Sequence, residues 1–202
     1  MTQAPDATAL STSAYSPDAA DHIFDYDAVH RQYVSDGLAA QTLTGNVKAQ
    51  LQCLEAHASN NLQLAIKVLV ISNDGTTALS TLLAIARGGT EPTTALTNRT
   101  YPSVAMGSYA CADGDRLCVE IGLGGLPTSG SGTNSHNGSI RWGGSAAGGD
   151  LPIDDTDTGT TLRPWIEFAN TFTFQPLTSR GIPFGGAGTA FGGGRPLTGI
   201  IR

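Results

Sequence analysis

The sequence predicts an all-β, antiparallel sandwich of jelly-roll-like type, with an N-terminal leader and an extended Gly/Pro-rich C-terminal arm. Three observations predict it. Apolar and polar residues alternate over short runs, at the two-residue period of a half-buried strand. Gly, Asn, Asp and Pro turn signals separate those runs. Charged residues are only 14% of the chain and 26 of its 202 residues are Gly, which suits extended strands, tight turns and a surface partly covered by neighbours. Helical periodicity is weak and confined to 16–33, and no repeat of fixed period exists.

Three zones follow along the chain: a leader and assembly segment (1–40), the sandwich domain (41–175) and the arm (176–202). The leader holds one denser patch, around Phe24, Tyr26 and Tyr33. The first strand is expected over 43–56, with Leu43, Val47, Ala49, Leu51 and Cys53 on one side and Lys48, Gln50 and Gln52 on the other. In 62–71, Leu62, Leu64, Ile66, Val68 and Val70 alternate against Gln63 and Lys67, and Ser59-Asn60-Asn61 offers a turn that would pair the two runs as a hairpin. Asn73-Asp74-Gly75 is the next turn, where Asp-Gly tolerates positive φ. The apolar run 79–86 reads as a strand because Gly88-Gly89 and Pro92 stop it quickly. Ala112-Asp113-Gly114-Asp115 turns into the clearest strand, 116–123, where Leu117, Val119, Ile121 and Leu123 alternate against Arg116, Cys118 and Glu120. Runs at 138–142 and 165–174 complete the set; Trp165 and Glu167 share one face, Ile166 and Phe168 the other. The Gly-rich stretch 122–149 reads as a long flexible loop at one end of the sandwich.

Several function classes are disfavoured. Net charge is −6, with lysines only at 48 and 67 and no basic run, so a nucleic-acid partner is not expected. No apolar run reaches membrane-span length and residues 1–20 lack a signal-peptide pattern, so no membrane partner is expected either. Cys53, Cys111 and Cys118 form no CxxC; although Cys111 and Cys118 could face each other across a hairpin, the odd count favours buried free thiols in a reducing cytoplasm. His22, His30, His57 and His136 lie apart, and GxSxG, HExxH and P-loop motifs are missing. Glu120 and Glu167 are expected to face solvent or to pair with Arg116, Arg141 or Arg163 rather than to act as a glycosidase pair. Neither catalysis nor a cofactor is expected. Asp150, Asp154, Asp155 and Asp157 beside Thr156 and Thr158 make the kind of oxygen-rich loop that Ca²⁺ favours. The spacing departs from an EF-hand, however, and the expectation is a solvated turn with local backbone bonds and no metal. Trp142 is expected to be exposed and is the candidate glycan contact, whereas Trp165 is expected in the core or between sheets.

The motif order over 43–174 is more specific. Gly114-Asp115-Arg116-Leu117-Cys118-Val119-Glu120-Ile121-Gly122 is followed by Asp150-Leu151-Pro152, Asp154-Asp155-Thr156 and Pro164-Trp165-Ile166-Glu167-Phe168. This order resembles a group of β-sandwich proteins encoded among phage structural genes and in environmental viral sequences. The resemblance implies a virion protein made in the host cytoplasm, at a tail, baseplate, fibre or head-decoration position. Outside the match, Phe184, Phe191 and Ile200 are spaced by Gly and Pro, as in an arm that lays apolar anchors on a neighbour. Phe24, Tyr26, Phe184, Phe191 and Ile200 are therefore the expected assembly residues, with the chain itself and other virion proteins as partners. The alternative is a receptor-recognition module at a tail tip, with a host surface glycan as ligand.

Overall fold

The computed structural model describes residues 10–15, 26–58, 60–125, 136–144, 148–176 and 200–201. Every regular element among them is a strand, and the strands pair antiparallel in two main sheets. The larger sheet is organised around β4 (Asn46–Glu55). One side of β4 pairs with β7 (Thr97–Ala105). Its other side pairs with two strands laid end to end: β11 (Trp165–Phe168) opposite Val47 to Gln50, and β10 (His136–Arg141) opposite Gln52 to Glu55. Beyond these, β1 (Leu10–Tyr15) pairs with β10 and β12 (Ile200–Ile201) pairs with β11. The second sheet runs β2 (Tyr26–Val34), β9 (Arg116–Gly125), β5 (Leu62–Ile71) and β6 (Ala78–Gly88). A short ribbon of β3 (Gln41–Leu43) and β8 (Tyr109–Cys111) stands apart from both.

The alternation read from the sequence sets the core. Val47, Ala49, Leu51 and Cys53 of β4 pack with Leu62, Leu64, Ile66, Val68 and Val70 of β5 and with Leu117, Val119, Ile121 and Leu123 of β9, all buried. Each Val, Leu and Ile among them contributes about 1.5–3 kcal/mol by leaving water. Tyr101 of β7 is fully buried, and its hydroxyl donates to the Ala86 carbonyl of β6 at 3.1 Å, tying the two sheets together along one side. The expected turns form as read: Gly75 and Gly114 take positive φ, and Asp74 and Asp115 accept hydrogen bonds from their own turns.

Several expectations need correction. The runs 43–56 and 62–71 are not a hairpin; β4 and β5 lie in opposite sheets, and 56–61 carries the chain between them. That crossing is held by the Asn137 carbonyl, which accepts from Ala56 N at 2.8 Å and from Asn60 Nδ2 at 3.0 Å. Strand β2 falls inside the segment read as leader with weak helical period, because pairing with β9 overrides local propensity. The last strand stops at Phe168 rather than 174. The stretch 122–149 is not a single loop, since it contains the end of β9 and all of β10. Strand β7 escaped sequence reading because Asn98, Arg99 and Pro102 mask its alternation; at the sheet edge Pro102 leaves no central ladder bond unmade.

Candidate functional site

Among the described residues, the outer face of the larger sheet carries a dense layer of side-chain hydrogen bonds. Irregular backbone over 150–163 cannot satisfy its carbonyls in a ladder, so the donors must come from elsewhere. The polar positions of the sheet beneath supply them. Gln50 Nε2 donates to the Asp154 carbonyl at 2.6 Å and Gln52 Nε2 to the Gly159 carbonyl at 2.9 Å. Arg141 Nη1 donates to Thr160 at 2.9 Å and to the Gly143 carbonyl, and Nη2 donates to Leu162 at 2.7 Å. Its Nε donates to Gln52 Oε1 at 2.5 Å. Arg99 Nη1 donates to the Asp155 carbonyl at 2.7 Å, and Trp165 Nε1 to Leu151 at 2.8 Å. The segment is a strap, and Gln50 and Gln52 under it are 0% exposed. Leaving a buried polar group unpaired costs about 1–3 kcal/mol; the strap carbonyls relieve that cost for Gln50, Gln52 and Arg141, while Asn98 Oδ1 is buried without a hydrogen-bond partner among the described residues.

The acidic residues of the strap are spent on holding it. Asp155 Oδ1 accepts from Thr100 N and Oδ2 from the Thr90 hydroxyl, both at 2.8 Å. Asp154 Oδ1 accepts from Thr156 N and Asp157 N at 2.9 Å, and Asp157 Oδ1 accepts from Gly159 N at 2.6 Å. Asp150 pairs with Arg163 at 3.5 Å. The Thr156 and Asp157 N–H groups hold the Asp154 carboxyl below the ordinary carboxylate value. Burial works against the Asp155 carboxylate, but the Thr90 hydroxyl, the Thr100 donors and Arg99 outweigh it and lower its pKa. Among the described residues no cluster of three His, Cys, Asp or Glu side chains is arranged for a metal. The expected solvated turn is instead docked onto the sheet.

The other singled-out residues fall in separate places. Glu120 pairs with Lys67 at 3.3 Å and Glu167 with Lys48 at 3.4 Å, so lysines take the place expected of arginines. These glutamates lie on different sheets, on β9 and β11. Arg116 instead donates to the carbonyls of Asn73 and Ser35. Trp142 is half-buried rather than exposed, and the Arg31 guanidinium of β2 stands 3.9 Å from its ring centroid, a cation–π contact between the two sheets. Trp165 is half-buried under the strap instead of in the core, with Lys48 Nζ 5.7 Å from its ring. All three cysteines are buried and free. Burial pushes the Cys53 thiol up to about 12.

Tyr26 opens β2 opposite Gly125, and Ile200 in β12 lies opposite Glu167. They belong to different sheets. Phe24, Phe184 and Phe191 lie outside the described residues. The buried layer of Gln50, Gln52, Asn98, Arg99 and Arg141 was missed as a functional group of residues. Its only sequence signal was polar alternation on β4, which reads equally well as a solvated face.

The fold thus defines an antiparallel β-sandwich with one strapped outer face and terminal strands on one sheet edge. No protein-family model matches the chain, and no curated protein does. Among solved structures it is similar to the infectious bursal disease virus Gt strain structure (TM-score 0.32, 16% identity, 78% of this chain and 34% of that one). It is also similar to the Gx strain structure (TM-score 0.30, 14% identity, 82% and 36%). A third similarity is to Eiger TNF from S. frugiperda (TM-score 0.25, 16% identity, 75% and 94%). The chain spans about a third of the length of the viral chains it matches.

Proposed function

We propose that the chain is a structural component of a virus particle, a bacteriophage tail, baseplate, fibre or head-decoration protein whose work is mechanical rather than catalytic. The observation that carries this reading is the placing of the first and last described strands, β1 and β12. Strands β1 and β12 both add to the same side of the larger sheet, against β10 and β11. Terminal segments that bind a sheet edge through main-chain bonds can serve their own copy or a neighbouring one, which is a common assembly device. The motif order over 43–174 supports the virion assignment, and the 14% charged content supports surfaces covered by neighbours. The engagement of Glu120 and Glu167 in lysine pairs supports a non-catalytic role.

The test is incorporation. A labelled full chain and a chain ending at residue 175 are offered to assembling particles, with circular dichroism checking that both are folded. The full chain is expected in purified particles and the shortened one only in the unassembled pool. Equal incorporation of a folded, shortened chain would contradict the arm-based reading.

A further inference from the structure

The two lateral sides of the sandwich are finished differently. On the β6 and β7 side, the strand edges are closed by bonds to other parts of the chain. Leu82 O of β6 accepts from Gly107 N at 2.7 Å, and Ala86 O accepts from the Tyr101 hydroxyl at 3.1 Å. On β7, Asn98 N donates to the strap carbonyl of Asp157 and Thr100 N to the Asp155 carboxyl, each at 2.8 Å. Pro102 has no N–H to offer. At the opposite end of the second sheet β2 is the last strand, and among the described residues no strand pairs with its outer edge. An edge of that kind is a template for a further strand.

Strand β2 carries the two most exposed large apolar side chains described in any strand, Val29 at 51% and Val34 at 47%. Five residues apart, they would face opposite ways in a regular strand. The register against β9 brings them to one face. Val29 stands opposite Gly122, Gln32 opposite Glu120 and Val34 opposite Cys118, whereas Arg31 and Tyr33 stand opposite the core residues Ile121 and Val119. The register shift between Val29 and Arg31 leaves His30 as an extra residue. The bulge therefore puts Val29, Gln32 and Val34 on the outer face and Arg31 and Tyr33 on the inner one, where Arg31 stands over the Trp142 ring.

This pattern is its own complement about Gln32. With a second β2 laid antiparallel and Gln32 opposite Gln32, Arg31 meets Tyr33 of the second copy on the inner face. Val34 meets Val29 of the second copy on the outer face, once His30 is passed as the bulge. Opposite residues in an antiparallel pair share a face, and each of these pairs does. Between Val29 and Val34 no like charges oppose one another, and each exposed valine gains an apolar neighbour. An isologous contact requires a patch that matches itself in this way.

We propose that two copies of the chain pair antiparallel through β2, across a two-fold axis at Gln32, so that the second sheet of one copy continues into that of the other. The main-chain ladder supplies the bonds, and the two valine contacts set the register. The pairing names a surface and a partner that the virion reading leaves open, and it does not rest on that reading.

The test is the mass of the purified full chain, measured by light scattering across a concentration series. One strand pair is a small interface, so the dimer is expected at the high end of the series. Val29→Lys and Val34→Glu, each at an exposed position, set a charge against a valine of the other copy. Each is expected to remain a monomer throughout, with the circular dichroism of the wild type. Val29→Lys combined with Val34→Glu in one chain sets opposite charges against each other on both sides of the axis, and is expected to restore the dimer. A wild-type chain that stays monomeric up to its solubility limit would overturn the proposal. So would a dimer that either single change leaves intact, and a double variant that stays monomeric would contradict the pairing about Gln32.

Discussion

Arg141 shows how one side chain can organise a surface. Its guanidinium reaches the Thr160 and Leu162 carbonyls at the C-terminal end of the strap, and also the Gly143 carbonyl and Gln52. Burial lowers its pKa; the residue is 3% exposed, and each of its three guanidinium nitrogens donates a hydrogen bond. Arg141→Leu would strand the Gln52 oxygen and those carbonyls, and a loss of about 3 kcal/mol in unfolding free energy is expected from urea titration. Gly89 is fixed by a different constraint. It has φ of +90°, and a Cβ placed there would lie 2.3 Å from the Thr100 carbonyl oxygen. Gly89→Ala is expected to cost about 2–3 kcal/mol, because the left-handed backbone and the clash add. A loss below about 0.5 kcal/mol, the range of ordinary surface changes, would contradict that geometry.

At the scale of elements, the strap and the sheet beneath it behave as one unit. The carboxyls of Asp154 and Asp155 have pKa values lowered in the fold, so their stabilisation is present above the ordinary value of 3.8 and is lost as pH falls through the folded values. Trp165, bonded to the strap carbonyl of Leu151, is a natural reporter of this change. In a Trp142→Phe background, its fluorescence is expected to shift to the red below about pH 4, with Asp155→Asn shifted at all pH values. No acid shift would mean that these carboxylates do not hold the strap. Much of the element list was legible: β5 and β9 announce themselves through five and four alternating apolar residues that all reach the core. Partnership was not legible. Asn60 and Asn61 signal a turn, but nothing in a turn signal says whether the next strand pairs alongside or crosses to the other sheet. Gln50 and Gln52 likewise read as wet, because a covering strap 100 residues away in sequence leaves no local trace.

For the whole molecule, the two sets of carboxyls set opposite limits. The strap loses support in acid, and Glu55 loses it as pH passes about 7. Thermal stability is therefore expected to be highest near about pH 4–5 and to fall as pH rises toward about 7, and a melting temperature that rises steadily to pH 9 would contradict the assignment. The sandwich and its strap pack together with β1 and β12 on the same side of the larger sheet, the arrangement on which the proposed virion role rests. Electron microscopy of purified native particles carrying a labelled copy of the chain tests this central claim most directly. The account predicts label at regular, symmetry-related positions on the particle. Label that is absent from purified particles, or scattered without order over them, would contradict it.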